Sequence, residues 1–207
     1  MLLAVFPAGF LTKEALKLPD ISIKSIGRLV QHSLARLEGE GRVTLHPLIA
    51  GHARSELEQR PELLQEFHHA LSTWCQSFVT SHASENPENS SELHNEIANI
   101  TSAWNWDAAH GLWQLHQATR WPVRQFFGET GRVSEGRALF TKVINALRAD
   151  PNHPPELLSA SLEALGWFEM LAGELTSAQT RLDEALALSH SDEPVSYTHL
   201  RAHETLR

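Results

Sequence analysis

Leu158, Leu162, Leu165 and Phe168 recur at helical spacing, Gly173 interrupts, and Ala178, Leu182, Ala185 and Leu188 resume the period. The spacing predicts two amphipathic helices of roughly 15 residues, folded back on each other across a Gly173-Glu174 turn. A lone hairpin of this size cannot bury its apolar face and needs neighbours of the same kind. One neighbour is visible. Gly131, Gly136, Phe140 and Val143 share the internal spacing of Gly173, Ala178, Leu182 and Ala185, and 173 minus 131 sets the copies 42 residues apart. The chain is thereby constrained to paired, stacked helices over its second half.

Upstream of the pair the signals stay helical back to Pro61. Leu64, Phe67, Leu71, Trp74 and Phe78 mark one long helix, and a polar loop is expected over 82–91. Leu93, Ile97, Ile100 and Trp104 mark a second helix, ending near Gly111. A third starts at Leu112 and must kink or restart at Pro122, carrying Val123, Phe126 and Phe127 to Gly128. A fourth is expected over 133–149, followed by a stiff connector, Asp150-Pro151-Asn152-His153-Pro154-Pro155.

The first 60 residues read differently. Phe6-Pro7-Ala8-Gly9-Phe10 is a turn between apolar segments, Thr12 is a plausible cap for a short helix ending before Pro19, and Ser22 can cap the next. On that helix Ile23, Ile26 and Val30 share a face. It either continues through Leu34 and Leu37 or gives way to a two-stranded hairpin, 34–38 and 42–46, closed by Gly39-Glu40-Gly41. The alternation of Val43 and Leu45 with Arg42, Thr44 and His46 favours the hairpin. Pro47 then suits the first position of a helix with Leu48, Ile49, Ala53 and Leu57 as its stripe, closed by Pro61. Helix, helix, two-stranded wing and helix make a winged-helix-like unit. The expected fold class is therefore all-α in the main: a small winged-helix-like unit over 1–60 and an α-solenoid over 61–194.

A formal charge of −8 argues against a broad basic face for nucleic acid. Lys24, Arg28, His32 and Arg36 still offer a local basic patch, opposed by Glu38 and Glu40. The single Cys75 cannot form an intramolecular disulfide; it fits a reducing, cytoplasmic setting and a small packed side chain. No apolar run approaches the roughly 20 residues needed to span a bilayer, so no membrane partner is expected. Met1 to Phe6 make a poor signal peptide and look like the end of a helix whose earlier turns are missing.

Phosphate-binding loop, G-x-S-x-G elbow and H-E-x-x-H patterns are all absent, so no catalytic residue and no metal ligand is expected. The 13 His residues are scattered: His46/His52 and His110/His116 do not share a helix face, and His68-His69 reads as surface. Trp74, Trp104 and Trp167 fall on apolar stripes and read as core, whereas Trp113 and Trp121 are freer to line a groove.

Arg42-Val43-Thr44-Leu45-His46-Pro47-Leu48-Ile49, after Phe6-Pro7-Ala8-Gly9-Phe10 and the Ser22 helix, resembles the winged-helix subdomain of STAND-class signal-transduction ATPases. Glu96-Ile97-Ala98-Asn99-Ile100 and Gly131-Arg132-Val133-Ser134-Glu135-Gly136-Arg137 resemble the helical repeats that follow it in bacterial transcriptional regulators of that class. The last hairpin is similar to a tetratricopeptide repeat, with Gly166 at the eighth position and Ala178, Leu182 and Ala185 at the small, large and small packing positions. The resemblance implies a non-catalytic fragment whose ATP or ADP site lies in an upstream domain in cis, with a protein or small inducer bound on the repeats. It also implies that His46 contacts the bound diphosphate; the alternative is a structural strand-end His. The family's usual Met-His-Asp is here Leu45-His46-Pro47, which removes an Asp that would help fix the geometry. The stretch 195–205 resembles an in-frame translation of a sequencing-library adapter, so the native sequence is expected to end near Pro194. His199, His203 and Glu204 within it lack the third ligand and closed geometry of a zinc site.

Overall fold

The computed structural model describes residues 2–16, 21–82 and 87–191. The expected adapter-like tail, the last part of the helix before Pro19 and residues 83–86 of the expected loop lie outside these residues. The chain is mainly helical with a small antiparallel sheet. It divides into two compact units at Pro122.

In the first unit a buried 3₁₀ turn, Leu2–Val5, leads through Phe6 and Gly9 into β1 (Phe10–Leu11). Gly9 has φ +68, and a Cβ there would come 2.4 Å from the Val43 carbonyl oxygen, so the turn demands glycine. The sheet is three-stranded rather than the expected two. Phe10 and Leu11 pair with Val43 and Arg42 of β3 (Arg42–Leu45), whose other edge pairs with β2 (Ala35–Glu38). A two-residue strand is too short to show alternation, which is why β1 reads as turn in the sequence.

The short α1 (Thr12–Ala15) has Leu11 at its N-cap, and the Thr12 hydroxyl instead donates to the Gly41 carbonyl at 2.7 Å. Ser22 caps α2 (Ile23–Gln31) through a reciprocal box with Ser25. Of the expected stripe only Ile26 is buried; Ile23 is 68% exposed. Ser33, at φ 58, ends the helix, with the Leu34 N–H reaching back to the Leu29 carbonyl at 2.9 Å. Pro47 opens α3 (Pro47–Glu58) as expected, but Leu48 is exposed and Leu57 alone is fully buried.

Pro61 opens α4 (Pro61–His82) rather than closing α3, and Pro87, inside the expected loop, opens α5 (Pro87–Ala109). Both prolines sit where a missing N–H costs nothing. α4 packs on α5, on α3 and on the Leu2–Val5 turn. α4 and α5 therefore share the first unit with the sheet. Cys75, Leu71, Val79, Ile100 and Trp104 form its buried centre. α6 (Gln114–Glu129) runs through Pro122, which leaves the Ala118 carbonyl without its helical N–H donor.

The second unit holds the end of α6, α7 (Val133–Ala149), α8 (Pro155–Leu171) and α9 (Leu175–Ser191). The 42-residue echo is carried by the backbone. α9 begins and ends 42 residues after α7, and α8 ends 42 residues after α6. Gly131 (φ +70) and Gly173 (φ +79) close α6 and α8 with the same bonds: Thr130 N–H to Phe126 and Ala172 N–H to Phe168, then Gly131 N–H to Gly128 and Gly173 N–H to Met170.

Candidate functional site

His46 is the N-cap of α3 at the end of β3, half-buried. Its Nδ1 accepts from the Leu48 N–H at 3.3 Å, so the neutral ring carries its proton on Nε2 and can donate from there. Its own N–H donates to the Leu34 carbonyl at 3.1 Å, pinning the strand end. The residue is thus fixed by the sheet on one side and by the helix start on the other.

Behind β3 lies a buried polar cluster. Arg42 ion-pairs with Glu96 of α5, and its Nη1 donates to the Ala8 carbonyl at 3.1 Å. Asn99, fully buried on the same helix, donates to Glu96 at 2.6 Å and to the Gly9 carbonyl at 2.9 Å, and accepts from the Ala8 N–H at 3.0 Å. Two side chains, Arg42 and Asn99, therefore satisfy the turn that feeds β1, and Glu96 holds both of them. Burial raises the Glu96 carboxyl above its ordinary range, outweighing the Arg42 hydrogen bond and charge that pull it down. A cavity of about 510 Å³ opens beside the cluster, with Lys13 and Arg42 facing Glu14, Glu38, Glu92 and Glu96. His82, stacked on Phe78 with ring centroids 4.2 Å apart, reaches Glu92 at 2.6 Å on its wall. Glu96 and Asn99 recur at i and i+3 on one helix face, the only sequence signal of the cluster; Arg42 reads as an outward strand residue.

A second cluster joins α4 to α5. His68 is buried and lies flat on Trp106, centroids 3.7 Å apart and planes 3° apart, which corrects its reading as surface. Trp106 also stacks on His110 at 4.0 Å. Burial, with a smaller contribution from His110, pushes His68 down to about 4. Asp107, 3% exposed, accepts from the Ser72 hydroxyl at 2.8 Å, and burial pushes its carboxyl up to about 6 against that bond and the charges of His69 and His110. The Ser72 hydroxyl is thereby oriented as a donor to the Asp107 carboxyl. Among the described residues no group of three His, Cys, Asp or Glu is placed to hold a metal ion.

In the second unit the repeat residues meet as a packing set. A Cβ on Gly136 would come 2.5 Å from Phe168 and 3.0 Å from the Phe127 Cβ; one on Gly166 would lie 3.1 Å from Leu182 and 3.2 Å from the Ala178 carbonyl. Phe140, Val143, Ala178 and Ala185 are buried, while Leu182 is 37% exposed. Trp167 is half-buried rather than core: it lies against Gly128, and the Arg124 guanidinium sits over its ring at 4.2 Å. Of the two tryptophans expected to line a groove, Trp113 is buried and Trp121 is 62% exposed.

Compared with protein-family models, curated proteins and solved structures, the chain matches none. Its function has to be argued from these residues.

Proposed function

We propose that this chain is a non-catalytic regulatory module. Its helical hairpins bind a protein or small inducer, and the sheet unit with His46 relays the outcome to a nucleotide-binding domain in cis. This is the arrangement of the winged-helix and tetratricopeptide-like regions of STAND-class regulators. One observation carries the reading: the Arg42–Glu96–Asn99 cluster, which ties the Ala8-Gly9 turn and β3 to a helix of the array. A buried, mutually satisfied polar link is geometrically exacting, so displacement of α5 is felt at β3 and at His46 on its end. The Nε2–H of His46 and the adjoining helix N-terminus suit a phosphate oxygen.

In the intact parent, His46→Ala lowers the diphosphate retained through purification, and Asn99→Ala makes nucleotide exchange indifferent to inducer. Unchanged nucleotide content in the first variant, or unchanged inducer response in the second, counts against the reading.

The exposure of Lys24, Arg28, His32 and Arg36 supports a second reading, a DNA-binding winged helix with a helical dimerisation domain. The net charge of −8 and the exposed Ile23 and Leu37 disfavour it. A salt-dependent mobility shift separates the two.

A further inference from the structure

The cavity beside the Arg42–Glu96 pair, about 510 Å³ as the described residues bound it, gathers side chains from β1 and α1, β2, β3, α4 and α5 of the first unit. Its size is that of a small-molecule site. The charges on its wall do not balance. Arg42 is committed to Glu96 and to the Ala8 carbonyl, which leaves the exposed Lys13 facing Glu14, Glu38 and Glu92. Glu38 spends one carboxylate oxygen on the Thr44 hydroxyl at 3.1 Å, and Glu92 spends one on the His82 ring at 2.6 Å. Neither carboxylate has a further partner among the described residues. Leu11 and Phe78 add an apolar part to the same wall. A ligand that fits must therefore bring positive charge on an aliphatic stem.

We propose that this cavity binds a short aliphatic molecule carrying two ammonium groups, a diamine or a basic amino acid. Its ammonium groups take up the remaining oxygens of Glu38 and Glu92 in charge-assisted hydrogen bonds, and its methylene stem lies on Leu11 and Phe78. Lys13 receives the carboxylate where the ligand has one. A bound cation also offsets part of the burial that raises the Glu96 carboxyl. A phosphorylated ligand would meet the same carboxylates, so this is not the nucleotide site assigned to His46. The ligand's role as the small inducer rests on the proposed relay, since it would sit beside the Arg42–Glu96 pair; its binding does not.

The test is isothermal titration calorimetry of the full chain with 1,5-diaminopentane and with L-lysine, at low salt and without nucleotide. Saturable one-site binding of at least one of the two is expected. Glu38→Gln and Glu92→Gln each weaken it about fivefold, as loss of an exposed charge contact should. Both positions are exposed, and thermal melts confirm that the variants stay folded. Glu62→Gln removes the same charge from an exposed position of α4 outside the cavity and changes the affinity less than about twofold. Tighter binding of lysine, levelled by Lys13→Met, assigns the site to a basic amino acid; tighter binding of the diamine assigns it to a bare amine. Absence of saturable binding by either probe overturns the proposal. So does equal weakening by Glu62→Gln, which would mean diffuse attraction to an acidic chain. Neither result bears on nucleotide retention by the intact parent, so the relay stands or falls on its own variants.

Discussion

Arg42 of β3 and Glu96 of α5 form an ion pair in which the carboxylate side chain is only 2% exposed and the guanidinium 16%. A charge pair so deep is held by its surroundings as much as by its own attraction, since each partner loses hydration on folding. Here Asn99 takes up the second Glu96 oxygen and the Ala8 carbonyl takes up a second guanidinium N–H, so each ion has a hydrogen-bond partner besides the other.

Breaking the pair from one side is therefore more damaging than removing it. Glu96→Ala is expected to lower unfolding free energy by about 3 kcal/mol, because Arg42 is left uncompensated. Arg42→Met with Glu96→Leu together is expected to recover most of that loss. Urea midpoints at constant m-value check both, and a double variant as weak as the single would contradict the account.

Asn99→Ala tests the link to the turn. It strands the Ala8 N–H and the Gly9 carbonyl, at a cost of about 2 kcal/mol. Hydrogen exchange should quicken at Ala8, whose N–H bonds Asn99, more than at Ile26 in α2. Equal change at both would mean global loosening rather than a local release.

The glycines divide by what surrounds them. Gly136→Ala forces a methyl into Phe168 and is expected to cost about 2 kcal/mol, and Gly166→Ala, with 3.1 Å to a flexible leucine, somewhat less. Gly27, with nothing within 4 Å of its virtual Cβ and an ordinary helical φ, should gain about 0.7 kcal/mol on change to alanine. Thermal melts of the three variants, ranked in that order, check the packing assignment.

How much of this was legible in the sequence follows from the range of each interaction. The helices announced themselves through local period, and the Gly131 and Gly173 turns through a residue type that backbone geometry requires. Ser22 and Pro47 showed their caps for the same local reason. β1 was invisible, because a two-residue strand is created by its partner Val43 and not by its own pattern. Pro61 and Pro87 read as breakers although they open helices, since a proline alone does not say which side continues. The Arg42 cluster and the burial of His68 arise from contacts between elements far apart in the chain, to which periodicity is blind. Ile23 and Leu48 misled in the opposite sense: an apolar residue on an amphipathic face is buried only if another element reaches it.

Acid should act on the contacts that α5 makes with α4 and with His116 of α6 through opposed titrations. His68 and His116 are held neutral by burial, each with a pKa of about 4 against an ordinary 6.5, so the folded state binds fewer protons than the unfolded chain between those values. Both therefore make stability rise with pH through that window. Asp107 runs the other way: its pKa of about 6 lies above the ordinary carboxyl value of 3.8, so the folded state keeps a proton the unfolded chain has lost, and stability falls as pH climbs toward 6. Each group changes the slope by at most about 1.4 kcal/mol per pH unit. Asp107→Asn retains an acceptor for Ser72 but cannot ionise, so its stability should climb more steeply than the parent's from about pH 4.5 to 6. His68→Phe keeps a ring against Trp106 without a titrating nitrogen, and should climb less steeply. Urea denaturation across that range reads both slopes, and parallel curves for parent and variants would show that neither group differs in protonation between the folded and unfolded chain.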